Sequence, residues 1–370
     1  MKRREFLQLG AGAVAGGLIL PTTIDAANMQ AAQSAAPAAG AATVKLKVDI
    51  YSRHLQWLRT ADEVAEAAIE MGYDGVNITV RDAPGHVNPA KVAIELPPFV
   101  QAIRKHGLLV RQITTSIADV DSPNAEAVIA TASSLGLTHF WWGTYRYEAG
   151  KPIMPQLEAL KPRVAKLAAM AAKYKMTAAY HTYSMPNTVG SAMWDLLSIL
   201  KDHDPKHVGF HYDTGHEAHH INGLWEVNMK AAGPYIAAVA AKDYMPTQEA
   251  PAPRGGQAPR QGGAADPAAA AGRGAGRAAG AGAGAPAATG GNGWRTRTVP
   301  LGTGLVNLPQ VAAVLKEINF SGPLEVQAEY PNGGAENAQD TITLPRAEVL
   351  GAMKRDLVVL RRDFAASGLL

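Results

Sequence analysis

The sequence predicts an α/β protein in which eight parallel strands and eight helices close into a (β/α)8 TIM barrel. Strand-like apolar runs alternate with segments of helical spacing from Lys45 to the C-terminus. The first three helical segments each end at a glycine, namely Gly72, Gly107 and Gly136, which is a common helix stop. Strand–helix pairs favour a parallel sheet, because parallel neighbours need helical crossovers. A doubly wound open sheet is the alternative that this pattern leaves open.

Periodicity and turn residues place each element in order. The predicted strands are 45–51, 75–80, 108–114, 138–142, 176–180, 207–212, 235–241 and 324–328. The predicted helices are 60–71, 96–106, 124–135, 154–174, 191–200, 224–232, 308–318 and 346–366. A barrel of this kind needs about 250 residues plus insertions, which this chain supplies.

Composition excludes several classes of protein. The chain has 370 residues, 47% of them hydrophobic, and no cysteine, so disulfides, thiolate metal sites and cysteine nucleophiles are excluded. The net charge of +3 is unevenly distributed: residues 1–43 contribute +1 and residues 246–298 contribute +4, which leaves −2 for the rest. The predicted barrel is therefore not basic, and no nucleic-acid partner is indicated.

Residues 1–43 have the pattern of an export segment. Arg3 and Arg4, followed by Phe6-Leu7 and an apolar run that ends at Leu20, resemble a twin-arginine export signal. The apolar run is too short for a stable membrane span, and an alanine-rich stretch with small-residue cleavage positions follows it. We therefore expect the twin-arginine machinery as a partner and a periplasmic or extracellular location, with residues 44–370 forming the barrel.

One segment, residues 246–298, departs from the alternating pattern. It consists almost entirely of Ala, Gly, Pro, Arg and Gln, without periodicity. Such a composition buries too little apolar surface to fold, so it predicts a disordered insertion after the seventh strand. A tolerated surface insertion is the favoured interpretation, and a flexible cover or an attachment to cell-envelope polymer is the alternative.

Chemistry is concentrated at the carboxyl ends of the predicted strands. In a (β/α)8 barrel, the residues just past each strand face one pocket. The sequence places polar, charged and aromatic side chains there, including the Asp-Thr-Gly-His motif at 213–216. The candidates are His54, Arg81, His86, Trp142, Arg146, His181, Asp213, His216, Lys242 and Glu329. Trp141 and Trp142 alternate between the two faces of a strand, so at most one of them faces the pocket. Gly302 and Gly304 also suggest a phosphate site, but Gly-x-Gly alone is a weak signal.

Several short motifs together resemble a known family. They are GYDGV (72–76), DTGH (213–216), VAAKD (239–243), PLGTG (300–304) and GPLEVQAEY (322–330). Their order and spacing resemble the sugar phosphate isomerase/epimerase family with the xylose-isomerase-like TIM barrel. The resemblance extends from Lys45 to the C-terminus, apart from the insertion.

The resemblance implies a divalent metal site with Glu, Asp, His and Glu ligands from strands five to eight. Asp213 and Glu329 match two of these positions, His181 replaces the first Glu, and Ala240 replaces the His. His181, Asp213 and Glu329 are therefore the candidate ligands of Mn, Co, Fe, Zn or Mg, with water, substrate or His216 completing the shell. The alternative is that no metal binds and that Lys242 supplies the positive charge.

The resemblance also implies chemistry on a sugar or keto sugar. Moving a hydrogen next to a carbonyl group needs a base and a positive centre that stabilises the enediolate. Glu329 is the candidate base, His181 and Lys242 are further catalytic candidates, and the substrate-binding candidates are His216, His86, Arg81, His54, Arg146 and Trp142. We expect a sugar isomerase or epimerase. The alternatives are a 3-keto-glycoside lyase or hydrolase of the same fold and a carbohydrate-binding barrel without catalysis.

Overall fold

The computed structural model describes residues 45–220, 224–248 and 294–370, and these contain a closed eight-stranded parallel barrel. The barrel strands are β1 (Val48–Tyr51), β2 (Gly75–Thr79), β3 (Gln112–Thr114), β4 (His139–Trp142), β5 (Thr177–His181), β6 (Val208–Asp213), β7 (Ile236–Ala241) and β10 (Leu324–Val326). Each strand pairs with the next in this order, and β10 closes the ring by pairing with β1. The predicted barrel is confirmed, and the open sheet is wrong.

Helices cover the outside of the barrel. They are α1 (Ala61–Met71), α2 (Val92–Lys105), α3 (Ala125–Ser134), α4 (Ile153–Lys173), α5 (Trp194–Leu200), α6 (Thr214–His220), α7 (Trp225–Ala232), α8 (Leu308–Glu317) and α9 (Arg346–Ala365). Among the helices of the described residues, none combines the length and hydrophobicity that a membrane crossing requires.

The first helix shows how local sequence sets these boundaries. Thr60 caps α1 by accepting a hydrogen bond from the Glu63 amide, while the Glu63 side chain accepts one from the Thr60 amide. Gly72 ends the helix with φ of 90°, a left-handed conformation that favours glycine. Between these ends, Val64, Ala68 and Met71 are buried against the barrel. Burial of each large apolar side chain contributes about 1.5–3 kcal/mol, which fixes the face of the helix that meets the strands.

The barrel interior is polar, because several buried strand positions carry hydrogen-bonding side chains. Glu325 of β10 accepts hydrogen bonds from the side-chain amides of Asn77, Gln112 and Gln327, the last of these at 2.7 Å. His211 of β6 lies on the other side of this carboxyl group, with 3.4 Å between Nε2 and Glu325 Oε1. Burial raises the pKa of Glu325 to about 8. The interior below the strand ends is therefore a hydrogen-bonded network and not an apolar plug.

The predicted insertion is framed by a two-stranded antiparallel hairpin, β8 (Asp243–Gln248) and β9 (Trp294–Val299). The composition assigns residues 246–248 and 294–298 to the insertion, but the structure places them in strands. Backbone hydrogen bonds between β8 and β9 form these strands and do not depend on the side chains. The rest of the predicted insertion, 249–293, and the predicted export segment, 1–43, lie outside the described residues.

Candidate active site

Four side chains from four neighbouring strand ends converge at the C-terminal face of the barrel. His181 is the last residue of β5, and Asp213 is the last residue of β6. Lys242 directly follows β7, and Glu329 follows β10 by three residues. Because β5, β6, β7 and β10 are adjacent in the barrel, their ends bring these residues together.

Lys242 is the centre of this group. Its Nζ lies 2.9 Å from Asp213 Oδ2 and donates a hydrogen bond of 2.8 Å to Glu329 Oε2. On the other side of Asp213 Oδ2, His181 Nε2 lies at 3.3 Å and His216 Nε2 at 3.9 Å. Lys242 and Asp213 are buried, while the Glu329 side chain is 17% exposed. Glu329 is therefore the carboxylate of this group that remains accessible to a ligand.

The charges of these residues stabilise one another. Burial alone would raise the pKa of Glu329 and of Asp213, but the Lys242 ammonium outweighs it. The pKa of Glu329 is held at about 2, and that of Asp213 is held well below its usual range. Burial opposes the charge on Lys242, yet the two carboxylates raise its pKa above the usual value. At neutral pH, one ammonium and two carboxylates therefore share the site.

The two histidines are neutral at neutral pH. Burial lowers the pKa of His216 to about 3 and also lowers the pKa of His181, although Asp213 opposes both shifts. His216 Nδ1 lies 2.7 Å from Ser184 Oγ, and the His216 amide donates a hydrogen bond of 2.9 Å to Asp213 Oδ1. Neutral imidazoles of this kind can ligate a metal ion or exchange a proton.

Gly215 explains the spacing of the Asp-Thr-Gly-His motif. A Cβ atom at this position would lie 3.1 Å from Lys242 Cγ and 3.2 Å from its Cβ, which is tighter than ordinary van der Waals contact. The glycine therefore leaves room for the lysine stem between β7 and the start of α6. Thr214 Oγ1 completes this contact by donating to the Lys242 carbonyl at 2.6 Å. The motif thus positions Asp213, His216 and Lys242 together.

His181, Asp213 and His216 form a possible metal site. One ligand atom from each lies within 4.8 Å of the other two, and the set of two neutral imidazoles and one carboxylate suits a divalent ion. Glu329, which the sequence suggests as a ligand, is not in this group, and its Oε2 accepts a hydrogen bond from Lys242. Ala240 is buried two residues before Lys242, and its methyl side chain cannot ligate a metal ion. Lys242 and a metal ion would both interact with Asp213 Oδ2.

An aromatic wall borders the group. The Trp141 indole stacks on the His181 imidazole, with 3.9 Å between ring centroids and 1° between planes. Tyr51 stacks on the far side of Trp141 at 5.9 Å, and Tyr183 lies 4.6 Å from His181. Trp142 points the other way, is wholly buried in the main core and packs edge-on against Tyr180. Trp141 therefore occupies the position that the sequence analysis assigns to Trp142.

Two of the other candidates border the group. Arg81 places its guanidinium carbon 5.1 Å from the Trp141 ring centroid, and its Nε donates to the Thr115 carbonyl at 3.1 Å. His54 is buried, and Nδ1 lies 3.4 Å from the Ala335 carbonyl oxygen. Burial lowers the pKa of His54 to about 4, although the Glu329 charge opposes this shift. Arg81 and His54 are therefore within electrostatic reach of the aromatic wall and of Glu329, respectively.

His86 and Arg146 are not part of the group. His86 Nδ1 lies 2.7 Å from Gln56 Nε2 and 3.1 Å from Thr79 Oγ1, so the ring packs between the end of β2 and the turn that follows β1. Burial lowers its pKa to about 4. Arg146 is exposed, and Nη2 lies 3.6 Å from the sulfur of Met185 on the rim. Their roles in substrate binding stay predictions.

Sequence reasoning missed Tyr51, Tyr183 and Ser184. Tyr51 ends β1 and Tyr183 follows His181 by two residues, so both have the parity of inward-facing positions. That alternation is the signal that identifies them. No sequence signal identifies Ser184, because its contact with His216 depends on the path of the loop after β5.

The loop that contains Gly302 and Gly304 does not offer its amides to a phosphate group. Asp243 Oδ2 accepts hydrogen bonds from the amides of Gly302 and Gly304, at 3.0 and 2.8 Å. Asp243 Oδ1 accepts from the amides of Val306 and Tyr244, at 3.0 and 2.8 Å. Because one buried carboxylate satisfies these donors, the motif anchors the loop to the end of β7.

The chain belongs to the xylose isomerase-like TIM barrel family, whose model matches residues 65–347. A search of curated protein sequences found no match. Solved structures share the fold, including an IolI protein with a bound zinc atom, which is 16% identical with a TM-score of 0.58 over 86% of this chain and 100% of that one.

Two sugar epimerases also share the fold. D-Allulose 3-epimerase from Methylomonas sp. is 16% identical with a TM-score of 0.54, over 86% of this chain and 98% of that one. 3-Keto-D-glucoside 4-epimerase YcjR from E. coli is 12% identical with a TM-score of 0.54, over 86% of this chain and 100% of that one.

Proposed function

We propose that this protein is a sugar isomerase or epimerase that moves a proton next to the carbonyl group of a sugar or keto sugar. The observation that carries the proposal is the Lys242–Glu329 pair beside His181, Asp213 and His216, which combines a base, a cation and neutral imidazoles in one pocket. The family and the fold shared with sugar epimerases support it. One such structure contains D-allulose bound to its epimerase.

Glu329 is the proposed base. With Lys242 hydrogen-bonded to it, its pKa of about 2 makes it a weak base in the free protein. A substrate oxygen that takes over the Lys242 hydrogen bond frees Glu329 and raises its basicity. The same event aligns the ammonium with the oxygen on which negative charge develops. Binding of the substrate thus activates the base and provides the positive centre together.

The proton transfer conserves atoms and electrons. Glu329 takes the proton from the carbon next to the carbonyl, the C–H electron pair forms the carbon–carbon double bond of the enediolate, and the carbonyl oxygen takes the negative charge beside Lys242. Return of the proton to the former carbonyl carbon, together with transfer of the hydroxyl proton from the neighbouring oxygen to the former carbonyl oxygen, completes isomerisation. Delivery of a proton to the opposite face of the same carbon completes epimerisation. In the site without a metal ion, His181 or His216 is proposed to relay that proton, because a neutral imidazole can take up a proton from water at one ring nitrogen and release one from the other.

A divalent ion is the proposed cofactor, held by His181, Asp213 and His216. When bound, it supplies a Lewis acid that polarises the substrate oxygen. The two histidines are suited to hold it because burial keeps them neutral.

A 3-keto-glycoside lyase is the second candidate. Glu329 is the one carboxylate of the group with exposed surface, so a proton is taken on one face. One-sided abstraction followed by loss of a leaving group at the β-carbon gives elimination instead of isomerisation. The same pocket without any proton transfer is a sugar-binding barrel.

The experiment is proton exchange in D2O, read by NMR with a panel of sugars and 3-keto-glycosides. The proposal expects deuterium next to the carbonyl and an isomerised or epimerised product, while a released aglycone indicates the lyase. Glu329→Gln should lose exchange, and Glu348→Gln, on the exposed face of α9, should retain it. Proton exchange that survives Glu329→Gln would remove Glu329 from the mechanism. Sugar binding without proton exchange in any sample would contradict both enzyme proposals and support the sugar-binding barrel.

We also propose that residues 1–43 direct export by the twin-arginine route, since Arg3 and Arg4 precede an apolar run. Cell fractionation tests this directly. Replacing both arginines by lysine should retain the protein in the cytoplasm, whereas unchanged export would contradict the proposal.

A further inference from the structure

The two ring nitrogens of His216 have different neighbours. Nδ1 lies 2.7 Å from Ser184 Oγ, in the loop after β5. Nε2 is the nitrogen that approaches the carboxylate, with 3.9 Å to Asp213 Oδ2. His181 Nε2 lies 3.3 Å from the same oxygen. Nε2 of His216 is therefore the atom that can share a metal ion with Asp213 and His181, while Nδ1 is occupied by the serine.

The position of the imidazole proton decides whether His216 can bind a metal ion. Burial lowers the pKa of His216 to about 3, so at neutral pH the ring carries a single N–H proton. One nitrogen holds this proton and the other holds the lone pair that ligates a metal. Ligation through Nε2 thus requires the proton on Nδ1. An N–H group in an enclosed site needs an acceptor, and Ser184 Oγ is within hydrogen-bonding distance of it.

The loop after β5 holds Ser184 in place. Ser191 Oγ lies 2.6 Å from the Tyr183 carbonyl oxygen and 3.2 Å from that of Met185, the two residues that flank Ser184. The backbone is therefore tied down on both sides of the serine. Within the described residues, the Ser184 side chain hydrogen-bonds to His216 and to nothing else. Its hydroxyl group is thus available to one imidazole nitrogen.

His181 is held by packing instead of by a hydrogen bond at Nδ1. Its Nδ1 is buried and forms no hydrogen bond in the part of the chain that the structure describes. The ring is fixed by the Trp141 indole, which stacks on it with 3.9 Å between centroids. Removal of the Ser184 hydroxyl should therefore alter His216 and leave His181 in place.

We propose that Ser184 is a positioning residue of the metal site, which accepts the Nδ1 proton of His216 and thereby presents Nε2 to the ion. This inference rests on the proposed function, specifically on its divalent ion. A hydroxyl group can also donate. Without an ion, Ser184 donates to Nδ1 while Nε2 carries the proton beside Asp213, so the ring keeps its orientation in both states. Polar groups behind metal ligands set tautomer and orientation in this way.

Calorimetric titration with Zn²⁺ tests the role of the hydroxyl group. Ser184→Ala should weaken zinc binding by about 10–100-fold, and Ser184→Thr, which retains a hydroxyl, should restore it. Ser133→Ala is the matched control, because Ser133 Oγ donates one hydrogen bond of 2.7 Å to the Tyr174 carbonyl on the outside of the barrel. It should bind zinc as the wild type does. Unchanged affinity in Ser184→Ala, or an equal loss in Ser133→Ala, would overturn the proposal.

NMR of protein with ¹⁵N-labelled histidine reads the tautomer directly. The His216 signals are identified by their absence in His216→Gln. In the zinc-loaded wild type, the proton should lie on Nδ1 and the metal on Nε2, whereas in the metal-free protein the proton should lie on Nε2. A purely structural role of Ser184 would not move this proton. Zinc bound at Nδ1 would overturn the proposal.

These measurements also distinguish this inference from the proposed function, because zinc binding is read without a sugar. Zinc binding that is indifferent to Ser184→Ala contradicts the role of Ser184 alone. Zinc binding that depends on Ser184, without proton exchange in D2O, contradicts the enzyme proposal alone. A wild type that binds no zinc contradicts the proposed metal site and, with it, the role of Ser184.

Discussion

Lys242 and Glu329 form an ion pair at the mouth of the barrel, with 2.8 Å between Nζ and Oε2. The pair joins the end of β7 to the loop after β10. Lys242 lowers the pKa of Glu329 to about 2, so Glu329 is ionised at neutral pH. Because Lys242 also contacts Asp213 at 2.9 Å, one cation holds two carboxylates in place. The pair is therefore both a structural link between strands and the resting state of the proposed base.

Removal of Lys242 should destabilise the protein. Lys242→Met leaves Asp213 and Glu329 without their shared cation, and breaking a buried ion pair costs about 3–5 kcal/mol. The pKa of Glu329 should rise from about 2 towards or above its ordinary value, since burial then acts without the opposing charge. Chemical denaturation measures the first effect, and NMR titration of the carboxyl carbon measures the second.

A divalent ion should replace part of this lost charge. Added Zn²⁺ or Mn²⁺ should raise the unfolding temperature of Lys242→Met more than that of the wild type, because the ammonium no longer interacts with Asp213 Oδ2. An equal shift in both proteins would contradict competition between lysine and metal.

Metal binding should depend on Asp213. In Asp213→Asn, the carboxylate at the centre of the His181–Asp213–His216 group is replaced by a neutral amide. Loss of a residue that binds the metal directly should weaken Zn²⁺ binding by more than about 100-fold. Even substitutions of residues that only support the metal ligands lower metal affinity by about 10–100-fold. Calorimetric titration checks this, with Asp340→Asn as the control because Asp340 is exposed and pairs with Arg59. Unchanged affinity in Asp213→Asn would place any metal elsewhere.

The adjacent tryptophans should separate function from stability. Trp142→Ala removes a wholly buried ring from the core and should cost about 3–5 kcal/mol of unfolding free energy. Trp141→Ala removes the ring stacked on His181, and loss of this stack should cost about 0.5–1.5 kcal/mol in addition to the lost buried area. It should also impair sugar binding and proton exchange more than Trp142→Ala does in the folded fraction. The reverse ranking would contradict the assignment of Trp141 to the pocket.

Glu325 should make stability fall as the pH rises. Burial raises its pKa from 4.5 to about 8, so between these values the folded state holds a proton that the unfolded state has released. Unfolding free energy from this group therefore decreases through that window, by up to about 1.4 kcal/mol per pH unit. Glu325→Gln does not titrate, so the difference between it and the wild type should grow from about pH 5 to about pH 9. A difference independent of pH would show that Glu325 is ionised throughout in the folded protein.

The fold is largely predictable because its signals are local. Helical spacing, glycine stops such as Gly72 and alternating apolar strands each depend on a few consecutive residues. The convergence of Asp213 and Lys242 is also predictable once the barrel is assumed, because parallel strands place their ends on one face. The same assumption places His181 beside them.

The finer geometry depends on contacts that no local pattern encodes. The binding of Glu329 by Lys242 follows from the path of the loop after β10, and the choice of Trp141 over Trp142 follows from the parity of β4. The network around Glu325 joins three strands distant in sequence, so its members look like ordinary strand residues until the barrel closes. The composition of β8 and β9 does not identify them as strands, because the hydrogen bonds that pair them involve the backbone and not the side chains.

The β8–β9 hairpin makes the protein modular. Gln248 pairs with Trp294, so the chain departs from and rejoins the barrel at adjacent positions on a pair of strands that is separate from the barrel sheet. We expect the intervening stretch to tolerate shortening, lengthening or exchange for an unrelated domain, because β8 and β9 hold its two ends next to each other. That junction is the natural place to graft a fluorescent reporter or an affinity module onto this scaffold.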